Sequence, residues 1–220
     1  HKYTYGLCTT IEPLLTMPNI YKSLNEEWLA EYLSITGLID TVDALSTPYQ
    51  QINQIPPSHS ILIKDNKISL CKYGSLYSKQ DLKLKSSNEY VEAFQDVFQQ
   101  AVNSKLRTNK AIGAQLSGGL DSGSVVGFAA KTLKAQNKMG QLHTFSYIPP
   151  TDFEDHTHKR LLANETPFIQ ATANHIGIEN IHYLPFKGKD SYSEIDNLLK
   201  SMEMPYKFVE NSFWLKGMFE

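Results

Sequence analysis

The sequence predicts an α/β fold built on a parallel sheet. In its second half, three apolar segments with the length of buried strands alternate with two segments of helical period. Strand, helix, strand, helix and strand in this order imply parallel strands joined by crossover helices. A glycine-rich turn joins the first strand to the first helix, at the edge where such sheets bind ligands. We therefore expect a parallel sheet covered by helices on both faces.

The first third of the chain predicts smaller elements. Residues 2–17 predict a strand followed by a short helical turn. Asn25 is placed to cap a helix that starts at Glu26. The apolar positions of that helix share one face and are expected in the core: Trp28, Leu29, Tyr32 and Leu33. Two apolar strands on either side of Asp65 and Asn66 predict a β-hairpin, because both turn residues tolerate positive φ.

The elements of the predicted sheet follow after residue 85. Ser86 and Glu89 have the spacing of a capping box, which starts a helix expected to pack against the sheet. Its apolar stripe consists of Val91, Phe94, Val97, Phe98, Ala101 and Val102. Strands are expected from Ala111, over residues 142–147 and over residues 181–184. The helix before the last strand is delimited by three residues, namely Thr166 as N-cap, Pro167 at its first position and Gly177 past its end.

Composition limits the classes of partner. The formal net charge is −2, so we expect neither a nucleic acid nor a membrane as partner. No apolar run approaches the length of a membrane span. Cys8 and Cys71, the two cysteines, form no disulfide framework, which favours a reducing compartment. We expect a soluble, cytoplasmic protein, and the oligomeric state stays open.

The glycine-rich turn has the features of an anion site. Gly118 and Gly119 lack a Cβ and tolerate positive φ, so the loop N–H groups are expected to turn toward a bound phosphate. A helix expected to begin near Ser122 adds unsatisfied N–H groups and the positive end of its dipole. Ser117 and Ser122 contribute hydroxyl groups beside them.

Asp121 lies within this turn, where a carboxylate repels phosphate unless a cation separates the two. Mg²⁺ prefers one or two carboxylates together with phosphate oxygens, so a Mg²⁺ ion bound by Asp121 is expected. The lysine of an ordinary P-loop is absent from the segment. The turn is therefore predicted to be a different type of nucleotide loop.

The run Ser117-Gly118-Gly119-Leu120-Asp121-Ser122 resembles the pyrophosphate-binding loop of the N-type ATP pyrophosphatases. With Leu116 in front of it, the run is similar to the loop of asparagine synthetase-like enzymes. The resemblance implies an adenine nucleotide alpha hydrolase-like (PP-loop) domain that uses ATP and Mg²⁺. It implies these nucleotide contacts: Leu116, Ser117, Gly118, Gly119, Leu120, Asp121, Ser122, Gly123 and Tyr147. Within the set, Leu116 and Tyr147 are expected at the adenosine, Asp121 at the metal, and Ser117 and Asp121 in catalysis.

The resemblance also implies a division of the chain. Pro56 and Pro57 before the hairpin are similar to the segment that joins the amidotransferase and synthetase domains of this family. We therefore assign residues 1–77 to the end of an amidotransferase-like domain with its linking segment, and residues 78–220 to the first part of the ATP-binding domain. Cys8 is not at the position of the family's glutaminase nucleophile, and we expect the chain to be a fragment.

The implied reaction is amide-bond formation. A substrate carboxylate would attack ATP to give an acyl-adenylate and pyrophosphate, and ammonia or an amine would then displace AMP. Three outcomes stay open, which are asparagine formation, closure of a β-lactam, and closure of the macrolactam of a lasso peptide. A non-catalytic nucleotide-binding module is the alternative from another class.

Overall fold

A computed structural model describes residues 5–35, 37, 41–77 and 81–219. In chain order its elements are α1 (Glu12–Leu15), α2 (Glu26–Ser34), β1 (His59–Lys64), β2 (Lys67–Lys72), α3 (Ser87–Lys105), β3 (Ile112–Gln115), α4 (Leu120–Ala135), β4 (Leu142–Tyr147), α5 (Thr166–Ile176), β5 (Asn180–Leu184), α6 (Ser191–Met202) and α7 (Ser212–Gly217). The chain divides into two compact units, residues 1–81 with 191–213, and residues 82–190 with 214–220. Among the described helices, none combines the length and apolar content needed to cross a bilayer.

In the first unit, α2 starts as predicted but buries less of its apolar face. The Asn25 side chain accepts the N–H of Trp28 at 3.2 Å, which confirms the predicted cap. Trp28 is buried and stacks on Tyr32 with ring centroids 5.0 Å apart. Leu33 was expected in the core, but 71% of it is exposed. Each helical residue is rotated by about 100° from the previous one, so Leu33, five residues after Trp28, lies about 140° away from it around the helix and outside the buried face.

The start of the chain differs from the prediction. Residues 5–10 contain no strand, and the first element is the single helical turn α1. The Glu203 carboxylate accepts the N–H groups of Ile11 and Glu12 at the start of this turn. The predicted strand begins at residues 2–4, which lie outside the described residues, as do residues 78–80 at the predicted domain boundary.

The hairpin of the first unit is confirmed. β1 and β2 pair antiparallel from His59 opposite Lys72 to Lys64 opposite Lys67. Asp65 and Asn66 form the turn with φ of 51° and 58°, as a two-residue hairpin loop requires.

The second unit contains the parallel sheet, which confirms the predicted α/β fold class. The strand order is β3-β4-β5, and both pairs of neighbours are parallel. β4 is central, with Thr144 opposite Ala114 on one side and Ile181 on the other. α4 and α5 lie in the two crossovers, so the carboxyl ends of all three strands share one edge.

The core of this unit lies on one face of the sheet. Its buried residues come from the strands, from α4 and α5 and from the segment after α5: Leu116, Val126, Ala130, Leu133, Leu142, Ile169, Ala173 and Ile178. On the opposite face, His143 and Phe145 are only half-buried, and both stack on His182. Both faces of the sheet were expected to be buried. Within the described part of the chain, one face is buried and the other is only half-buried.

α3 was expected to pack against the sheet, but it packs against α4. The N–H of Glu89 donates to the Ser86 hydroxyl at 3.3 Å, as predicted, whereas the Glu89 carboxylate accepts the backbone N–H of Lys85 at 2.9 Å. Phe98 contacts Phe128 of α4 edge to face, with ring centroids 5.0 Å apart. Four of the six residues of the apolar stripe were expected to be buried but are exposed: Val91, Phe94, Val97 and Ala101. The stripe is longer than the contact with α4, so Phe98 is half-buried and Val102 alone is buried.

Replacing Thr144 by valine is expected to raise the free energy of unfolding by about 1 kcal/mol. Thr144 is fully buried, and its Oγ1 has no hydrogen-bond partner among the described residues. Valine keeps the β-branched shape that suits a central strand and removes the desolvated hydroxyl. Denaturant unfolding followed by circular dichroism measures the change.

Ser146→Ala is the matched control for this substitution. Ser146 is equally buried, but its hydroxyl donates to the carbonyl oxygen of Leu116 at 2.6 Å. Its removal is expected to lower the free energy of unfolding by about 1 kcal/mol. Changes of the same sign in the two variants would contradict this assignment of hydrogen bonds.

Candidate functional site

The candidate site lies at the carboxyl edge of the sheet, where β3 runs into α4. Leu116 is buried there and extends the strand, because its N–H donates to the carbonyl oxygen of Phe145 at 3.0 Å. The Ser146 hydroxyl donates to the Leu116 carbonyl, so both main-chain groups of Leu116 have partners on β4. Tyr147 ends that neighbouring strand. The structure therefore places the two predicted adenosine contacts, Leu116 and Tyr147, at one edge of adjacent strands.

The loop between strand and helix is shorter than predicted. α4 begins at Leu120 rather than near Ser122, and Gly119 is its N-cap with no side-chain hydrogen bond. Glycine cannot cap a helix with a side chain. Consequently the N–H groups of the first helical turn, those of Leu120, Asp121 and Ser122, have no partner within the described part of the chain.

The loop N–H groups differ from the prediction in orientation. The N–H of Ser117 donates to the Ser122 hydroxyl at 3.0 Å, and that of Gly119 donates to the Ser117 hydroxyl at 3.2 Å. The N–H of Gly118 donates to Glu165 at 2.9 Å. All three loop amides thus have protein partners, so the donors left for an anion are those of the α4 first turn.

The two serines of the loop contact each other, with 2.9 Å between the Ser117 and Ser122 hydroxyl oxygens. Each hydroxyl oxygen already accepts a backbone N–H. The Ser122 hydroxyl also donates to the carbonyl oxygen of Gly119 at 3.4 Å, so both hydroxyl protons have acceptors within the loop. The two serines therefore fix the shape of the loop.

The glycines are required for space rather than for positive φ. Gly119 has φ of −81°, and Gly118 is not among the described glycines with positive φ. A Cβ on Gly118 would lie 3.0 Å from the Cβ of Glu165 and 3.2 Å from that of Phe168. A Cβ on Gly119 would lie 3.3 Å from the Ser117 hydroxyl oxygen. The tolerance of positive φ is therefore not used here, and close approach of the α5 start sets the requirement for glycine at Gly118.

Glu165 is a contact of the loop that the sequence patterns did not predict. It is the N-cap of α5, which begins at Thr166, so the prediction of Thr166 as N-cap is wrong by one residue. Pro167 is consequently the second helical residue, while Gly177 ends the helix with φ of 81°, as expected. The sequence shows that Glu165 directly precedes the Thr-Pro start of a helix. It does not show that this side chain contacts a loop 47 residues earlier in the chain.

Asp121 lies in the exposed first turn of α4, beside the uncapped N–H groups. No ion pair involves it among the described residues, and no cluster of three or more potential metal ligands occurs there. Mg²⁺ takes most of its ligands from water and phosphate and needs only one or two carboxylates. A single carboxylate beside N–H groups that can bind phosphate therefore suits this ion. Asp121 is therefore the residue that could hold the ion.

Two clefts border the loop. One, of about 670 Å³, is lined by the loop glycines and contains the basic side chains of Lys131 and His175. The other, of about 560 Å³, lies between α3 and α4 and is lined mainly by apolar and aromatic side chains. Among the described residues that line this second cleft, Asp121 is the one that is charged. Leu120, 88% exposed, borders both clefts.

The Tyr147 side chain belongs to an aromatic group. Its ring lies parallel to that of Trp214 at 5.9 Å and close to that of Phe186 at 6.1 Å. Burial raises the pKa of the Tyr147 phenol above its ordinary value. The phenol is therefore uncharged at physiological pH, as suits a ring packed against other aromatic rings.

Comparison with known proteins agrees with the resemblance of the loop. A family model for asparagine synthase matches residues 93–213, which include the loop and all three strands of the sheet. Human glutamine-hydrolysing asparagine synthetase is 26% identical over 201 residues, covering 84% of this chain and 34% of that protein. Putative asparagine synthetase 2 of Methanocaldococcus jannaschii is 29% identical over 134 residues, 61% of this chain and 22% of that protein. Asparagine synthetase 3 of Bacillus subtilis is 26% identical over 136 residues, with shares of 62% and 21%.

The matches cover most of this chain but only part of its relatives. The chain spans about a third of the length of the human relative. The family model covers more than half of the chain and contains the whole strand, loop and helix unit of the site. The chain therefore belongs to the asparagine synthase family.

Proposed function

We propose that this chain carries the nucleotide-binding part of an ATP-dependent ligase that forms an amide bond through an acyl-adenylate. The uncapped first turn of α4, with Asp121 and two serine hydroxyls beside it, is the observation that supports this proposal. In this proposal residues 78–220 form the first part of the ATP-binding domain. Residues 1–77 form the end of an amidotransferase-like domain and its linking segment.

The α4 first turn would bind the pyrophosphate portion of ATP. Three unpartnered N–H groups and the positive end of the helix dipole are directed at one place, where they stabilise negative charge. Asp121 would hold Mg²⁺, and the ion would supply positive charge beside the leaving pyrophosphate. These donors are fixed before the reaction, so they stabilise the charge without reorganisation.

The adenosine would lie along the strand ends. Leu116 and Tyr147 are proposed as its main-chain contacts, where the Leu116 carbonyl keeps one lone pair beyond the bond from Ser146. This places the α-phosphorus between the nucleoside and the α4 first turn. A loop that holds pyrophosphate thus directs attack to the α-phosphorus, where a substrate carboxylate oxygen forms the new bond and pyrophosphate leaves.

In the second half-reaction, ammonia or an amine would attack the acyl carbon and expel AMP. The nitrogen–carbon bond forms as the carbon–oxygen bond to AMP breaks, and the amine loses a proton. The loop contributes binding and orientation to this step. Aspartate is the acyl substrate that the names of the relatives support, since all are asparagine synthetases.

A second candidate is a peptide or natural-product cyclase that closes a lactam. The cleft between α3 and α4 favours this candidate, because Asp121 is its one charged lining residue and Phe94, Phe98 and Phe128 line it. The amino and carboxylate groups of free aspartate need charged partners, whereas an apolar acyl chain does not. A nucleotide-binding module without catalysis is the third candidate, and it differs from the other two in releasing no pyrophosphate.

Asp121→Asn is expected to weaken binding of Mg²⁺-ATP by about tenfold or more and binding of metal-free ATP by less than about twofold. Asparagine keeps the shape but removes the charge that the ion requires. Isothermal titration calorimetry with and without Mg²⁺ measures both affinities. Asp96→Asn makes the same charge change at an exposed position of α3 that lines neither of the two clefts beside the loop, and it serves as control. Equal losses in both titrations would show that Asp121 is not a metal ligand.

The longest natural polypeptide that contains this chain is expected to release AMP and pyrophosphate in equal amounts. With ammonia and aspartate labelled with ¹⁸O in the side-chain carboxylate, one labelled oxygen should appear in AMP, because that oxygen attacks the α-phosphorus. Mass spectrometry of the nucleotide products measures the transfer. ADP and inorganic phosphate as products would exclude adenylation. Nucleotide binding without turnover on aspartate or any peptide would favour the non-catalytic module.

A further inference from the structure

Glu165 makes a contact with the loop that the proposed reaction does not use. Its carboxylate oxygen Oε2 accepts the N–H of Gly118 at 2.9 Å, across 47 residues of sequence. The backbone of Gly118 also lies against the Cβ atoms of Glu165 and Phe168, with no room for a side chain. The loop is therefore held to the start of α5 by a hydrogen bond and by close packing at the same residue.

We propose that Glu165 is a positioning residue for the nucleotide site, an inference that rests on the proposed function. Its carboxylate holds the Gly118 N–H turned away from the ligand and thereby fixes the course of the loop into α4. The three loop amides are then all used within the protein, and the α4 first turn presents its own N–H groups. Glu165 acts on the nucleotide through the loop and does not touch it.

The chemistry of the contact explains why an acidic residue is suited to this position. A hydrogen bond to a carboxylate is stronger than one to a neutral acceptor, so it holds an exposed loop better. Glu165 is itself exposed. Without the acceptor, the Gly118 N–H is free to rotate toward solvent, and the loop loses its fixed entry into the helix. The expected effect is a loss of affinity for the nucleotide without a loss of the fold.

Three variants separate this role from a general effect of charge. Glu165→Ala removes the acceptor, Glu165→Gln keeps an acceptor oxygen without the charge, and Glu154→Ala removes a carboxylate of the same segment. Glu154 contacts only the exposed ring of His156 among the described residues, so it is the matched control. Mg²⁺-ATP affinity is measured by calorimetry, and the proton chemical shift of the Gly118 amide is measured by NMR.

Glu165→Ala is expected to weaken Mg²⁺-ATP binding by about fivefold to tenfold and to move the Gly118 amide proton upfield, as loss of a charge-assisted hydrogen bond requires. Glu165→Gln should recover most of the affinity, to within about twofold of the wild type, and Glu154→Ala should change neither reading. Unchanged or tighter binding by Glu165→Ala would overturn the proposal, as would a Glu165→Gln variant as weak as Glu165→Ala. If the wild-type chain does not bind Mg²⁺-ATP, the proposed function is contradicted. In that case the NMR reading alone tests the positioning role, and a Gly118 amide that does not move in Glu165→Ala refutes it.

Discussion

The site depends on one constraint, which is that α4 begins immediately after a glycine and has no side-chain cap. An uncapped helix start leaves N–H groups that must find acceptors, and here they face the edge of a parallel sheet. The other contacts of the loop use its own N–H groups and leave those of the α4 first turn without a partner in the described part of the chain. Ser117 and Ser122 satisfy the amides of the loop itself, and Glu165 takes the remaining one. A capping residue at position 119 would fill the place where an anion can bind.

Local patterns were sufficient to predict the elements around the site. β4 and the hairpin were predicted because apolar runs are bounded by turn residues, and Asp65-Asn66 adopts the positive φ that its turn type needs. The α/β class followed from the alternation of strands and helices. The short match at Ser117–Ser122 identified the family, because its residue types recur in a strand, loop and helix context that the structure contains.

Features that depend on distant residues could not be predicted. The bond from Gly118 to Glu165 joins two segments separated by a whole strand and helix, and no pattern near either residue indicates it. The exposure of Phe94 on α3 has the same cause, since an apolar stripe predicts a buried face but not the length of its partner. The start of α4 was misplaced because the serine at position 122 is a common N-cap, whereas here its hydroxyl is used by the loop.

Titration of the ¹⁵N-labelled chain with inorganic pyrophosphate in the presence of Mg²⁺ tests the central claim most directly. If the α4 first turn is the anion site, the amide resonances of Leu120, Asp121 and Ser122 shift most and saturate together, while the Gly118 amide, bonded to Glu165, moves little. The largest shifts at Ser117 and Gly118, or no saturable shift in the segment, would contradict the account.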